Sequence, residues 1–418
     1  MSLPAGLARA TRAAAAASFA VALAAALALL AAPRARAAAP MVRAAAAIVV
    51  EPATGDVVFA RAPEAERPIA STTKLMTALL ALERLRLSEK VTAVAYHGIP
   101  GESVVGLRAG ERMSAADLLR AMLLASANDA AATLAARIGG TQTRFVALMN
   151  RRARRLGLEE THYANPIGLD GPGAHSSAED LVKLTLILRK DRFFRTVTDL
   201  PRVRLRTGAH PRAIVNRNDL VREVPYVNGV KTGHTLGAGY VLVGSASRHG
   251  VTVISVVLGE PSIAARDADS LALLRFGLRR YRRVAVARRG TTYATAALAH
   301  RDGAVGLVAT RTVRRTLRRG ERLVRRVVGA PRTVDGPLPA RTRLATLEVR
   351  ARGALVASVP LVTRSAVARA TVVDRAGGIF SRTLLVAAGA VVVILILHVA
   401  FLRRRAGRRR REGRSRVA

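Results

Sequence analysis

The stretch "VNGVKTGHTLGAGYVLVGSASRHGVTVISVVLGE", residues 227–260, carries three valine-rich runs close together. The runs near 227–233, 239–246 and 251–258 read as strands, and Arg248-His249-Gly250 reads as the turn between the last two. Strands joined this tightly pair antiparallel, because a parallel crossover needs a dozen or more residues. Working outward, residues 46–60, "AAIVVEPATGDVVFA", predict a further hairpin around Thr54-Gly55-Asp56. Between the two β regions the period changes. In 72–86, Leu75, Met76, Leu79 and Leu82 fall on one helical stripe. Helices are also expected over 115–138, with an interruption at "SAND" (126–129), over 144–156 with a basic face, and over 178–190 and 266–281. Residues 163–177, "YANPIGLDGPGAHSS", hold five Gly or Pro breakers and read as a long loop. The fold class is therefore α+β, an antiparallel sheet with helices.

After about residue 283 the texture changes to short β-rich runs, among them a hairpin in 342–362 around Ala351-Arg352-Gly353. Residues 38–282 are taken as one domain, 283–372 as a small all-β domain used for placement or binding, and 373–383 as a linker. Residues 384–402 are nineteen uncharged residues, enough at about 1.5 Å each to span a bilayer core of about 30 Å. Nine arginines fill the last sixteen residues, 403–418, and a basic flank of this kind stays on the cytoplasmic side. At the other end, 13–32 is an uncharged apolar run after Arg9 and Arg12, followed by Ala35-Arg36-Ala37. Residues 1–37 read as a secretory signal peptide, with an uncleaved anchor as the alternative. The expected protein is exported and held by one membrane-spanning helix.

Composition narrows the function classes. The chain has 418 residues, a formal net charge of +40, no Cys and no Trp. A disulfide framework and thiolate chemistry are excluded. The arginines spread along the whole chain and only 3% of residues are aromatic, which argues against nucleic acid as a partner. No cofactor or metal is expected.

Of 68 basic residues only five are lysine: Lys74, Lys90, Lys183, Lys190 and Lys231. Two of the five sit in short motifs. Ser71-Thr72-Thr73-Lys74 is S-x-x-K, Ser126-Ala127-Asn128 is S-x-N and Lys231-Thr232-Gly233 is K-T-G. On a helix, residues i and i+3 share a face, so Ser71 and Lys74 meet. A serine hydroxyl attacks well only when a base takes its proton. Lysine serves as that base when burial and nearby cations hold it neutral; arginine, always protonated, cannot. Lys231 supplies a second cation. The helix N-terminus at Ser71 presents unpaired N–H groups that favour an oxyanion. Each motif alone is weak, since Ser-x-Asn commonly caps a helix. The three in this order are a strong signal.

These motifs, with "IASTTKLMTALLALE", "NPIGLDGPGAHSSAEDLVKL" and "ARDADSLALLRFG", resemble the low-molecular-mass penicillin-binding proteins that act as serine D-alanyl-D-alanine carboxypeptidases, the peptidase S11 type. The resemblance covers roughly 46–375 and implies a β-lactamase/transpeptidase-like catalytic domain followed by a small β-domain. It implies that Ser71 is acylated, Lys74 is its base and Ser126 relays protons. It gives Asn128 the substrate amide, Lys231 the local electrostatics and Thr232 the terminal carboxylate. Gly233 would admit the substrate backbone, and the N–H groups of Ser71 and His234 would form the oxyanion hole. Arg266 matches an arginine that helps hold the carboxylate, while His175 and Asp180 match a supporting loop signature. The implied substrate is a peptidoglycan stem peptide ending in D-Ala-D-Ala, with β-lactams as covalent inhibitors. D,D-endopeptidase action on the same wall substrates stays open. A β-lactamase is disfavoured because the 163–177 loop contains no Glu. A non-enzymatic wall-binding protein is disfavoured because the serine and both lysines are intact.

Overall fold

A computed structural model describes residues 38–414; the expected signal peptide, 1–37, and the final four residues of the basic tail lie outside them. The first hairpin is β1 (Ala46–Glu51) with β2 (Asp56–Arg61). A 3₁₀ turn, Ala70–Thr73, then leads directly into helix α1 (Lys74–Arg84). The expected helix thus begins one tight turn earlier, and Ser71 sits in that turn.

A short hairpin follows, β3 (Lys90–Thr92) with β4 (Arg112–Ser114), enclosing a long loop. Next come α2 (Ala115–Leu124), α3 (Asn128–Gly139) and α4 (Gln142–Arg155), so "SAND" does break one helix from the next. Ser114 and Thr141 start α2 and α4 by accepting from the N–H of Asp117 and Arg144. After the 163–177 loop come α5 (Ala178–Leu188) and α6 (Arg192–Thr198), then the hairpin β5 (Arg202–Leu205) with β6 (Arg212–Val215), and α7 (Asp219–Glu223). Helix α6, the β3–β4 and β5–β6 hairpins and α7 are not legible in the sequence. They are short, and tertiary contacts rather than periodicity hold them.

The decisive segment forms β7 (Val227–Thr235), β8 (Gly239–Arg248) and β9 (Val251–Glu260). The five-stranded sheet has the order β2-β1-β9-β8-β7, and all its pairs are antiparallel. Strand β1 is buried at all six positions, which explains its unbroken apolar run. Helix α8 (Ile263–Arg280) packs on β8, β9 and β1, and α5 packs on β9 and β1. The approach of α8 is close: a Cβ on Gly277 would meet Val49 at 3.0 Å. The core joins sheet and helical lobe, with Ile48, Leu75, Met76, Leu118, Phe145, Val243 and Val256 all buried. Strand β7 is the edge of the sheet.

The α8 helix runs straight into β10 (Tyr281–Ala287), so the β-rich segment starts without a loop. It continues as β11 (Thr292–Leu298), β12 (Ala304–Ala309), β13 (Val313–Arg318), β14 (Leu323–Val328), β15 (Thr333–Val334), β16 (Arg343–Ala351) and β17 (Ala354–Thr363). Six strands form one sheet in the order β14-β16-β17-β12-β11-β15, and β10 pairs with β13. Its aliphatic core includes Val286, Leu307, Leu347, Val349, Val359 and Leu361.

The β-rich segment is pinned to the first hairpin turn to turn. Arg352, in the β16–β17 hairpin, donates to Asp56 of the first hairpin at 3.0 and 2.9 Å, and Tyr281 Oη donates to the same carboxylate at 2.7 Å. The Arg352 hydrogen bonds hold the Asp56 carboxyl down at about 2. Helix α9 runs from Val372 to Arg414, so the stretch expected as a linker is helical from its start. Within it Val386–Arg405 is long and apolar enough to cross a membrane, with a mean hydropathy of 2.4.

Candidate active site

Ser71 lies at the base of a cleft of about 640 Å³, lined by Ser126, Arg217, Thr232, Gly233, His234 and Arg266 among others. Most of the residues singled out by sequence converge here from four elements. The 3₁₀ turn and α1 carry Ser71 and Lys74. The α2–α3 break carries Ser126 and Asn128. Strand β7 carries Lys231, Thr232, Gly233 and His234, and α8 carries Arg266.

Lys74 is fully buried, and its Nζ stands 2.9 Å from Ser71 Oγ. Nζ also donates to the carbonyl of Ile167. Burial lowers its pKa to about 7, with Arg217 adding to the effect and Glu102 opposing it. This is the condition under which a lysine serves as a base near neutral pH. Lys231 is 1% exposed and donates to Ser126 Oγ at 3.0 Å and to its neighbour's carbonyl, Thr232 O, at 2.8 Å. Burial pushes its pKa well down, helped by the charges of Lys74, Arg217 and Arg266. The two lysines are thus electrostatically coupled, each with its own serine.

Ser126 reaches Lys231 because the chain turns sharply between α2 and α3. Its φ is +62°, the left-handed region that a non-glycine residue enters at a cost. Asn128 opens α3, and its N–H donates to Ser103 O at 2.7 Å. Its Nδ2 donates to Glu102 Oε2 at 2.8 Å, and Tyr96 Oη donates to the same carboxylate. Burial would raise the Glu102 pKa, yet these hydrogen bonds and the Lys74 charge leave it lowered. Glu102 is therefore an anion whose charge acts on Lys74. Its loop is tied down by Asp129, which accepts from the N–H groups of Val105 and Leu107. It is tied again by Arg212, which forks onto Glu111 at 2.7 and 2.9 Å and donates to Val105 O. That pair holds the Glu111 carboxyl at about 2.

The 163–177 loop forms the floor. Besides Ile167 O on Lys74, Pro166 O accepts from Thr77 Oγ1 at 2.7 Å. Gly168 has φ +82°, and a Cβ there would come within 2.1 Å of Ala70 O. Only glycine allows the loop to press under the serine turn. Asp170 clips the loop to the β7–β8 turn, accepting from Thr235 Oγ1 at 2.6 Å and Gly237 N at 3.0 Å. On the opposite wall a Cβ on Gly233 would stand 2.9 Å from the Ser71 nitrogen. The edge strand therefore passes in contact with the serine N–H.

His234 is exposed and stacks on Tyr240 at 4.0 Å between ring centroids. Arg266 is buried against Asp267, to which its Nε and Nη2 donate at 2.9 and 3.1 Å. His175 and Asp180 are outside the cleft. His175 exchanges backbone hydrogen bonds with His162, and buried Asp180 accepts from Thr161 Oγ1 and Glu160 N. They hold the floor loop rather than face a substrate. The sequence did not reveal Glu102, Tyr96, Arg217, Asp170 or the Ile167 carbonyl. Tyr96 and Glu102 meet each other within one loop, while the rest act through contacts distant in sequence, and only Gly168, in a breaker-rich loop, left a local trace.

The family whose model matches, over residues 34–262 and so more than half of the chain, is Peptidase_S11, D-alanyl-D-alanine carboxypeptidase. The chain is 31% identical over 352 residues to D-alanyl-D-alanine carboxypeptidase DacD of Salmonella typhimurium, covering 80% of this chain and 87% of that protein. It is 29% identical to the carboxypeptidase DacF of Bacillus subtilis, over 76% of this chain and 84% of the relative. Among solved structures it is similar to penicillin binding protein 6B from Escherichia coli: TM-score 0.59, 28% identity, 79% of this chain and 98% of that one. A Streptomyces DD-transpeptidase matches with TM-score 0.54 and 31% identity over 58% of this chain and 99% of its own. On this matched length and identity, the chain belongs to the peptidase S11 family of serine D-alanyl-D-alanine carboxypeptidases.

Proposed function

We propose that the chain removes the terminal D-Ala from peptidoglycan stem peptides ending in D-Ala-D-Ala, through an acyl-enzyme on Ser71. The observation that carries this reading is the buried Lys74 amine 2.9 Å from Ser71 Oγ. Lys74 takes the hydroxyl proton as Oγ attacks the carbonyl carbon of the penultimate D-Ala. The oxyanion is received by the N–H groups of Ser71 and His234, which the close pass of β7 supports. The C–N bond then breaks. The leaving amine of D-Ala takes a proton through Ser126, which Lys231 holds at 3.0 Å. Water, deprotonated by the same base, hydrolyses the ester and frees Ser71.

Substrate lies along β7 as an added strand, since β7 is a sheet edge. Gly233 has no side chain to obstruct it. Thr232 receives the terminal carboxylate together with Arg266, whose Nη1 is the guanidinium nitrogen not engaged by Asp267. Asn128 orients the substrate amide. A β-lactam enters the same cleft and acylates Ser71. Helix α9 serves as a single-pass anchor, with the catalytic domain outside and the arginine-rich tail inside.

The test is fluorescent-penicillin labelling of the full chain in detergent, wild type against Ser71→Ala. Wild type is expected to label and the variant not to. Equal labelling, or none on wild type, would sink the reading, and rapid loss of the label would indicate a β-lactamase.

A further inference from the structure

A second cleft, of about 740 Å³, opens where the catalytic domain meets the β-domain. It is no smaller than the Ser71 cleft, and its chemistry is different. Six arginines line it: Arg248 from the β8–β9 turn, Arg275 and Arg279 from α8, Arg282 and Arg283 from β10, and Arg319 after β13. No carboxylate lines it.

What sets the cleft apart is that six guanidiniums from four segments gather there with no acid among them. Some arginines elsewhere do pair with acids, as Arg120 does with Asp117, Arg137 with Glu89 and Arg152 with Glu83. Among the described residues none of the six has a carboxylate within ion-pair distance. Neutral groups position them instead. Arg275 Nε donates to Tyr226 Oη at 2.9 Å, and the Arg248 guanidinium lies 5.5 Å from the centroid of the same ring. Arg319 Nε donates to Arg279 O at 2.8 Å. Arg283 lies across Gly250, where a Cβ would come within 2.6 Å of its Cδ. Each anchored guanidinium keeps most of its five N–H donors and its whole charge. Like charges gathered in a concave wall focus a positive field, and planar forks match phosphate oxygens two at a time.

We propose that this cleft binds a phosphodiester polyanion. The site is remote from the chemistry. Tyr240 lines the Ser71 cleft and Arg248 the basic one, eight residues apart along β8, or about 25 Å at strand rise. A bound polymer therefore tethers the enzyme and leaves the catalytic cleft open.

The test is binding of poly(glycerol phosphate) to the detergent-solubilised full chain, with poly-glutamate and inorganic phosphate as comparison probes. The triple variant Arg248→Ser, Arg282→Ser, Arg283→Ser is measured beside a control of equal charge loss, Arg151→Ser, Arg154→Ser, Arg155→Ser on α4. The cleft variant is expected to lose roughly tenfold or more in affinity while the control loses little. Penicillin labelling should be unchanged in both, which separates this result from failure of the Ser71 reading. Equal losses in the two triples, or equal binding of poly-glutamate, would overturn the proposal, because either outcome means net charge alone. Inorganic phosphate binding as tightly as the polymer would overturn the polymer as ligand. Should the serine triple misfold, the matching lysine triple decides: weakened binding supports fork recognition, and unchanged binding refutes it.

Discussion

The two clefts use positive charge in opposite ways. Against the Ser71 and Ser126 hydroxyls stand two lysines, buried and coupled, with pKa values pushed down. The six side chains that gather in the second cleft are arginines, all exposed. A base must be able to lose its proton, so burial is useful and lysine is required. A receptor for an anion must not lose it, so exposure and arginine suit. The sequence uses arginine nearly everywhere, and two of its five lysines stand against the serines of the Ser71 cleft.

The largest effect is expected at Lys74. Lys74→Arg retains the cation but removes the base, and penicillin acylation should fall by roughly a thousandfold or more. Normal acylation would refute the base role. Next in size is Gly233→Ala. Its Cβ would meet Val241 Cγ2 at 2.8 Å and the Ser71 nitrogen at 2.9 Å, so the serine and the strand must separate. A displacement of that order costs about a hundredfold in acylation rate, to be read by stopped-flow labelling.

Glu102→Gln sharpens the electrostatic half of the contrast. Acylation needs neutral Lys74, so its rate should rise with pH through about 7 in the wild type. The Glu102 charge favours the protonated amine; removing it lowers the Lys74 pKa, and the acid limb moves to lower pH. Glutamine keeps the acceptor for Tyr96 and Asn128, so a purely structural role would leave the limb where it was. A limb that stays or moves upward counts against the assignment.

The smallest effect is expected at the junction. Arg352→Ala removes a half-exposed pair with Asp56 and should cost about 1 kcal/mol of stability, seen as a small fall in Tm with acylation unchanged. Because the folded Asp56 pKa is depressed to about 2, this contribution is full above about pH 4 and is lost as pH falls through about 2. A loss equal at pH 7 and pH 2 would show that the pair is not its source.

Local sequence was a good guide where one physical signal dominated. The strands of 227–260 were legible because valine-rich runs sit between tight turns, and His249 and Gly250 do take positive φ, +51° and +75°. Lys74 was legible because a helical turn brings i and i+3 together. The 373–383 stretch, expected as a linker with no structure assigned, is part of one helix that runs from Val372 to Arg414. His175 and Asp180, expected only as a supporting loop signature, hold the floor loop from outside the cleft. Glu102 was silent because no periodicity or motif marks it; besides Tyr96 in its own loop, it meets Asn128, twenty-six residues on, and feels the charge of buried Lys74.

The α+β layering, the three motifs, the choice of lysine at two positions and the apolar helix near the C-terminus are all written in the chain. Each follows from periodicity, turn chemistry or a residue type that no other can replace. The tertiary structure decided how far Lys74 is desolvated, which carboxylate faces it, that β7 is the open edge beside Ser71, and that six arginines from distant segments share one wall. Those depend on distances between residues far apart in the chain, and only packing sets such distances.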